Sequence, residues 1–302
     1  MRVVLKASVA LFLVACGSSA PSGQSSSDGE ASNERVVLQN KGSDTLVNVA
    51  QAWAEAYRDV KPNVAVAVTG GGSGTGIAAL MNGTVDLASS SRKIKDKEKA
   101  LAEKNGINPV EHVVGHDALA VFLHADNPID GLTVEQVKAV YGEGGALDTW
   151  SDLGVEVPGC PSDEIVRVSR QNNSGTYAYF RDAVLGKGGE YKLGSRDLHG
   201  SKDVVDLVEK TPCAIGYSGL AYATDHIKMP CIKKTEESEC VAPSADNAIS
   251  GSYPIARPLM MYTKGTPEGA VKEYLDWIFG DEGQCIIAAK GYAPVRTLDC
   301  GE

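Results

Sequence analysis

Residues 64–81 read VAVAVTGGGSGTGIAALM, and the fold turns on how that stretch is divided. Val64-Ala65-Val66-Ala67-Val68 is a β-prone run, and Ile77-Ala78-Ala79-Leu80-Met81 is helix-prone. Between them stands GGGSGTG, residues 70–76, with five glycines, Ser73 and Thr75 but no lysine. A strand entering a helix through a turn of bare backbone is the repeating unit of an α/β protein. In such folds ligands gather where strands end and helices begin.

Working outward, Val36–Gln39 reads as a first strand. Leu46, Val49, Ala50, Trp53, Tyr57 and Val60 recur at helical spacing and predict a helix over 46–60. A helix at 76–82, a strand at 85–88 and a helix at 95–105 follow. Val113–His124 is a long extended segment containing Ala118-Leu119-Ala120-Val121-Phe122-Leu123. A second α/β region comes next: helix 133–141, strand 165–169, helices 175–186 and 202–210, and strand 214–217. Ser252–Tyr262 is extended again, and helices near 266–279 and 283–290 close the chain. The pattern predicts two α/β lobes with mixed sheets flanked by helices, the chain crossing between them twice. Residues 34–120 plus 256–302 form lobe 1, and 121–255 form lobe 2. Pro230–Gly251, polar and cysteine-bearing, reads as a surface loop.

The N-terminus sets the compartment. Arg2 and Lys6 precede an apolar run, Ala7–Ala15, too short to span a bilayer but suited to a secretory leader. Leu13-Val14-Ala15-Cys16 resembles a lipobox, in which Cys16 is acylated and becomes the new N-terminus. The alternative, a plain leader with an incidental cysteine, fits less well with Gly17–Asn33, a polar tether. The expected order is leader 1–15, lipidated cysteine and tether 16–33, then the folded body. Six further cysteines suit three disulfides in an oxidising compartment. We expect Cys231–Cys240, Cys285–Cys300 and, by elimination, Cys160–Cys213, although the sequence does not fix this pairing.

Net charge is −10, and losing Arg2 and Lys6 with the leader takes it to −12. Such a surface argues against nucleic-acid partners and against a polybasic membrane patch. It leaves room for a buried anion site governed by local dipoles.

Three helix starts look alike. Lys41-Gly42-Ser43-Asp44-Thr45 follows the first strand, Gly72-Ser73-Gly74-Thr75-Gly76 the second, and Arg170-Gln171-Asn172-Asn173-Ser174-Gly175-Thr176 the strand Ile165–Ser169. A helix N-terminus carries about half a positive charge and up to four free N–H donors, and glycine lets an anion approach them. GSDT alone reads as ordinary capping. GGGSGTG exceeds what a cap requires, and RQNNSGT adds the guanidinium of Arg170. Three such starts can converge on one small anion.

Competing motifs fail. GxxxxGK[ST] lacks its lysine, and neither GxGxxG nor GxSxG fits residues 70–77. Ser90-Ser91-Arg92-Lys93 matches SxxK, which would make Ser90 and Lys93 the pair of an envelope serine enzyme, but its KTG partner is missing. His112, His116, His124, His199 and His226 form no close ligand pattern, and no Cys/His spacing suggests zinc. No metal, cofactor or catalytic residue is expected.

GSDTL, TGGGSGTGI, Val85-Asp86-Leu87-Ala88-Ser89-Ser90-Ser91-Arg92, SRQNNSGTYAYF, TPCAIGYSG (211–219), Glu282-Gly283-Gln284 and Gly291-Tyr292-Ala293-Pro294-Val295 together resemble the phosphate-binding lipoproteins of bacterial phosphate ABC importers. The resemblance spans roughly residues 35–299. It implies the type II periplasmic binding protein fold, with two crossover strands as hinge, and a monomer that closes on inorganic phosphate and is read by permease subunits. Sulfate and molybdate are the alternative ions. The location implied is exported and lipid-anchored, periplasmic or cell-surface. By position, Thr45 with the Leu46 amide, Ser73, Arg170, Ser174, Gly175 and Thr176 would bind the ion, and Ser91 and Asp117 are expected to complete the set.

Two positions depart from the family pattern. Ser91 stands where well-studied members carry a carboxylate that accepts the proton of phosphate and so disfavours sulfate. The resemblance leaves that task to Asp117, in Gly115-His116-Asp117-Ala118, or to its rival Asp44, which serves equally well as a helix cap. Asn172 replaces a carboxylate that braces the arginine, so Arg170 is expected to be held less rigidly.

Overall fold

In the computed structural model, which describes residues 35–301, the stretch quoted above divides as expected, a strand before the glycines and a helix after them. The leader, Cys16 and the tether lie outside the described residues. In chain order the first elements are β1 (Val36–Gly42), α1 (Val47–Val60), β2 (Val64–Thr69), α2 (Ser73–Met81), β3 (Leu87–Ser90), α3 (Asp96–Lys104) and β4 (Val110–His124). Then come β5 (Gly131–Thr133), α4 (Val134–Tyr141), β6 (Val166–Arg170), α5 (Gly175–Phe180), β7 (Arg196–Leu198), α6 (Ser201–Glu209) and β8 (Ala214–Gly219). The remainder is β9 (Ile227–Lys228), β10 (Cys231–Lys233), β11 (Cys240–Val241), α7 (Ala245–Ile249), β12 (Ala256–Thr263), α8 (Gly269–Phe279) and α9 (Asp281–Ala289).

The main sheet runs β2-β1-β3-β12-β4-β8-β6-β7, with β9 on β4. Its centre is β4, which changes partner along its length. Val110–Ala118 pairs antiparallel with β12, whereas Leu119–Leu123 pairs with β8. Each half-sheet has parallel strands on its outer side, β2-β1-β3 in one and β8-β6-β7 in the other. This is the two-lobed arrangement, with β4 and β12 as the crossing strands. Both halves lie within one compact unit, Arg35–Glu302.

Side-chain alternation explains why the central strand is apolar without a break. Leu119, Val121 and Leu123 face a core with Val137, Tyr141 and Phe180, while Ala120 and Phe122 face Val204, Val205 and Val208 of α6. A strand covered on both faces needs apolar residues at every position. In the other half, Trp53 and Tyr57 of α1 pack with Tyr274 and Ile278 of α8, and Ile77 and Leu80 of α2 pack with Met260. The Trp53 indole N–H also donates to the Gly283 carbonyl at 2.6 Å.

Three segments differ from the sequence reading. A 3-10 turn over Asp44–Leu46 precedes α1, because the Leu46 amide bonds to the Ser43 carbonyl. The helix expected over 175–186 is α-helical only to Phe180 and widens into a π turn over Arg181–Leu185. Pro230–Gly251 is not a loop throughout: β10 pairs with β11 and β5 in a small second sheet, and α7 follows. Polar composition hid these strands, since only Ile232 of β10 is buried. The disulfides are Cys160–Cys213, Cys231–Cys240 and Cys285–Cys300. No helix among the described residues is long and apolar enough to cross a membrane.

Candidate functional site

The three helix starts meet where the two half-sheets face each other. The second start is shaped by Gly72, whose φ of 89° favours glycine; a Cβ there would also sit 2.7 Å from the Asn173 carbonyl oxygen of the third start. The Gly74 amide donates to the same oxygen at 2.9 Å, and the Asn173 side-chain amide donates back to the Gly71 carbonyl at 3.0 Å. At the third start, Ser174 caps α5 by accepting from the Thr176 and Tyr177 amides. Gly175 then brings backbone against hydroxyls: a Cβ on it would lie 2.1 Å from Ser73 Oγ and 2.5 Å from Ser91 Oγ.

The result is a buried cluster of hydroxyls. Ser43 Oγ donates to Ser91 Oγ at 2.9 Å, and Ser73 Oγ lies 3.4 Å from Ser91 Oγ. Ser73 Oγ also accepts from the Ser91 amide at 3.1 Å. Thr45 Oγ1 and Thr176 Oγ1 are 3.0 Å apart, although they come from opposite half-sheets. Thr45, Ser73, Ser91, Ser174 and Thr176 are all buried. Small hydroxyls tolerate such crowding because each can both donate and accept.

Two buried guanidinium groups flank the cluster. Arg170, at the end of β6, donates from Nη1 to Ser201 Oγ at 2.9 Å, from Nη2 to Asp44 Oδ2 at 3.1 Å, and from Nε and Nη2 to the His199 carbonyl. The other oxygen of Asp44 accepts from the Gly71 amide at 2.9 Å, so this carboxylate joins the second start to Arg170. Burial presses the Arg170 guanidinium below its ordinary pKa, with Asp44 opposing. Arg257 on β12 donates from Nε and Nη2 to Asp117 Oδ2 at 3.0 and 2.7 Å. It also reaches Thr176 Oγ1 at 3.1 Å and Thr45 Oγ1 at 3.3 Å. Asp117 Oδ1 accepts from the Leu220 amide. Burial pushes the Asp117 carboxyl up, against the pull of Arg257.

Of the residues expected to bind the ion, Thr45, Ser73, Ser91, Gly175 and Thr176 come together, with Ser174 at the adjoining cap. The Leu46 amide is turned away to the Ser43 carbonyl. Arg170 points to Asp44, Ser201 and His199 instead of the hydroxyls, and it is firmly held, contrary to the expectation drawn from Asn172, which is exposed. The bracing carboxylate comes from Asp44, across the sheet halves. Asp117 does border the cluster, through Arg257. Ser90 is buried and donates to the Arg92 carbonyl at 2.6 Å, whereas Lys93 is exposed. Lys93 lines a surface cleft of about 740 Å³, with Glu103 and Tyr262, that includes none of the cluster residues. Among the described residues no cluster of three or more His, Cys, Asp or Glu side chains is placed to hold a metal.

Arg257 escaped the sequence reading. The available signal was one arginine inside the apolar extended run Tyr253–Tyr262, matched by one aspartate at the start of the apolar run 117–123. A charge in such a segment requires a partner.

Residues 20–282 match the PBP superfamily domain. The phosphate-binding protein PstS of Pseudomonas aeruginosa is 36% identical over 278 residues, 88% of this chain and 85% of that one. This chain is a member of the PBP superfamily, in its phosphate-binding protein branch. PstS of Bacillus subtilis is 30% identical over 98% of this chain and 94% of its own. A crystal structure from Clostridium perfringens, of a substrate-binding protein assigned to phosphate ABC transport and holding phosphate, superposes with a TM-score of 0.75 at 29% identity. It covers 86% of this chain and all of its own. Members of this branch are substrate-binding proteins of transporters.

Proposed function

We propose that this protein is an extracytoplasmic receptor that binds inorganic phosphate between its lobes and delivers it to an ABC importer, anchored through a lipid on Cys16. One observation carries the reading: hydroxyls from both half-sheets, Thr45, Ser73 and Ser91 from one and Thr176 from the other, meet in a buried cluster beside guanidinium groups. A hydroxyl and amide cage replaces the hydration of a tetrahedral oxyanion without needing a full counter-charge. Charge-assisted bonds contribute about 1.5–3 kcal/mol each, so a handful reach the ~8 kcal/mol of micromolar binding even after ordering costs. The relatives named for phosphate support the choice of ion.

The lobes would be 34–120 with 256–302, and 121–255, dividing close to the partner change of β4. Opening and closing about β4 and β12 would admit the ion and then present a closed surface to the permease subunits. We expect a monomer. Titration calorimetry of the purified protein against phosphate and sulfate tests the ion, and no phosphate binding below millimolar concentration removes the claim. Radiolabelled palmitate incorporated by the wild type and lost in Cys16→Ser tests the anchor.

A further inference from the structure

Arg257 stands directly opposite Asp117 in the antiparallel pairing of β12 with β4. One residue further on, at Ala118, β4 makes its last pairing with β12, and from Leu119 it pairs with β8. The pair therefore lies on the crossing strands at the edge of the first lobe, next to the point where β4 changes partner. Both side chains are fully buried.

A guanidinium offers five N–H donors arranged in forks, each able to grip two oxygens. In Arg257 the Nε/Nη2 fork is held by Asp117. The Nη1/Nη2 fork faces Thr176 Oγ1 and Thr45 Oγ1, at 3.1 and 3.3 Å, and Nη1 also lies 3.4 Å from the Ser91 carbonyl. These distances are long for a cation, which prefers anionic oxygens at about 2.7–2.9 Å. Arg170 differs: Nε and Nη2 are taken by the His199 carbonyl and Asp44, and Nη1 donates to Ser201.

We infer that Arg257 is the guanidinium that grips the bound anion, its Nη1/Nη2 fork passing from the two threonine hydroxyls to two phosphate oxygens while Asp117 holds the other fork. Arg170 is instead a tie between the lobes through Asp44. The inference rests on the phosphate-receptor reading. On transfer of the fork, Thr45 and Thr176 are released from accepting and turn their own O–H groups toward the ion. Arg257 shares the first lobe with Thr45, so the two wait together at the floor of the cleft and Thr176 arrives from the other lobe.

A crystal structure of the protein with phosphate, together with calorimetry of variants, tests this. The expected result is Nη1 and Nη2 of Arg257 each about 3 Å from a phosphate oxygen. Arg257→Lys should weaken phosphate binding about 30-fold or more, because an ammonium keeps the charge but cannot fork onto Asp117 and two phosphate oxygens at once. Arg170→Lys should weaken it several times less. Should the single variant fold poorly, Asp117→Asn with Arg257→Gln removes both buried charges together and should fold, yet lose binding to the same extent. A phosphate-bound structure with the Arg257 fork still on Thr45 and Thr176, or folded variants of unchanged affinity, would overturn the assignment of Arg257 alone. If the wild type binds no phosphate, the receptor reading fails and this inference with it.

Discussion

Gly175→Ala separates closure from folding. The new methyl group would stand 2.1 Å from Ser73 Oγ and 2.5 Å from Ser91 Oγ, and 2.9 Å from Ser73 Cβ. Gly175 starts α5, while Ser73 and Ser91 belong to the opposite half-sheet, so the clash lies across the cleft and not within one lobe. Ser73 cannot retreat, because its hydroxyl accepts from the Ser91 amide and its backbone begins α2. Overpacking a tight contact costs about 1–3 kcal/mol. Here the lobes can relieve it by parting, so the cost falls on the closed state. Phosphate affinity should drop about 5- to 150-fold, while the melting temperature without ligand stays near that of the wild type. Calorimetric titration and a thermal melt, run on the same preparation, measure both. A Gly175→Ala variant with unimpaired phosphate affinity, or one that loses ligand-free stability in proportion, would refute the argument that this contact forms on closure.

Trp53→Ala should destabilise the protein by about 3–5 kcal/mol in urea titration, since the ring is fully buried and its N–H holds the Gly283 carbonyl. Removing Cys160–Cys213, which closes 53 residues of chain, should cost about 4 kcal/mol against about 2.5 for Cys231–Cys240, which closes 9; denaturation of the paired Cys→Ala variants gives the order. Burial lowers the pKa of His112 and His116 below the ordinary 6.5. The unfolded chain then takes up protons below about pH 6.5 that the folded chain refuses, so stability should fall as pH drops through that value. Urea midpoints at pH 7.5 and 5.5 should differ more for the wild type than for a His112→Gln, His116→Gln variant.

The α/β order was legible because both signals involved are local. Val64–Val68 is β-prone and Leu46–Val60 is amphipathic, and neither needs a distant partner to be read. Hydroxyls and glycines at the helix starts were legible for the same reason. What the sequence concealed was pairing between distant segments. Arg257 and Asp117 are 140 residues apart, and only the register of β12 on β4 puts them together. Asp44 looked like a cap because its engagement with Arg170 depends on how the half-sheets meet. The strands of the second sheet were hidden because they are two or three residues long and set in a polar stretch.

The place of β12 between β3 and β4 has a consequence for biosynthesis. Residues 256–263 are made after every other strand of the sheet, so the first three strands emerge with the inner edge of β3 exposed until the polypeptide is nearly complete. The segment from β4 to β8 has all its mutual sheet partners much earlier and can condense first. Until the last strand is inserted, that bare edge is the point at which a second nascent copy, or a chaperone, would find backbone to bind.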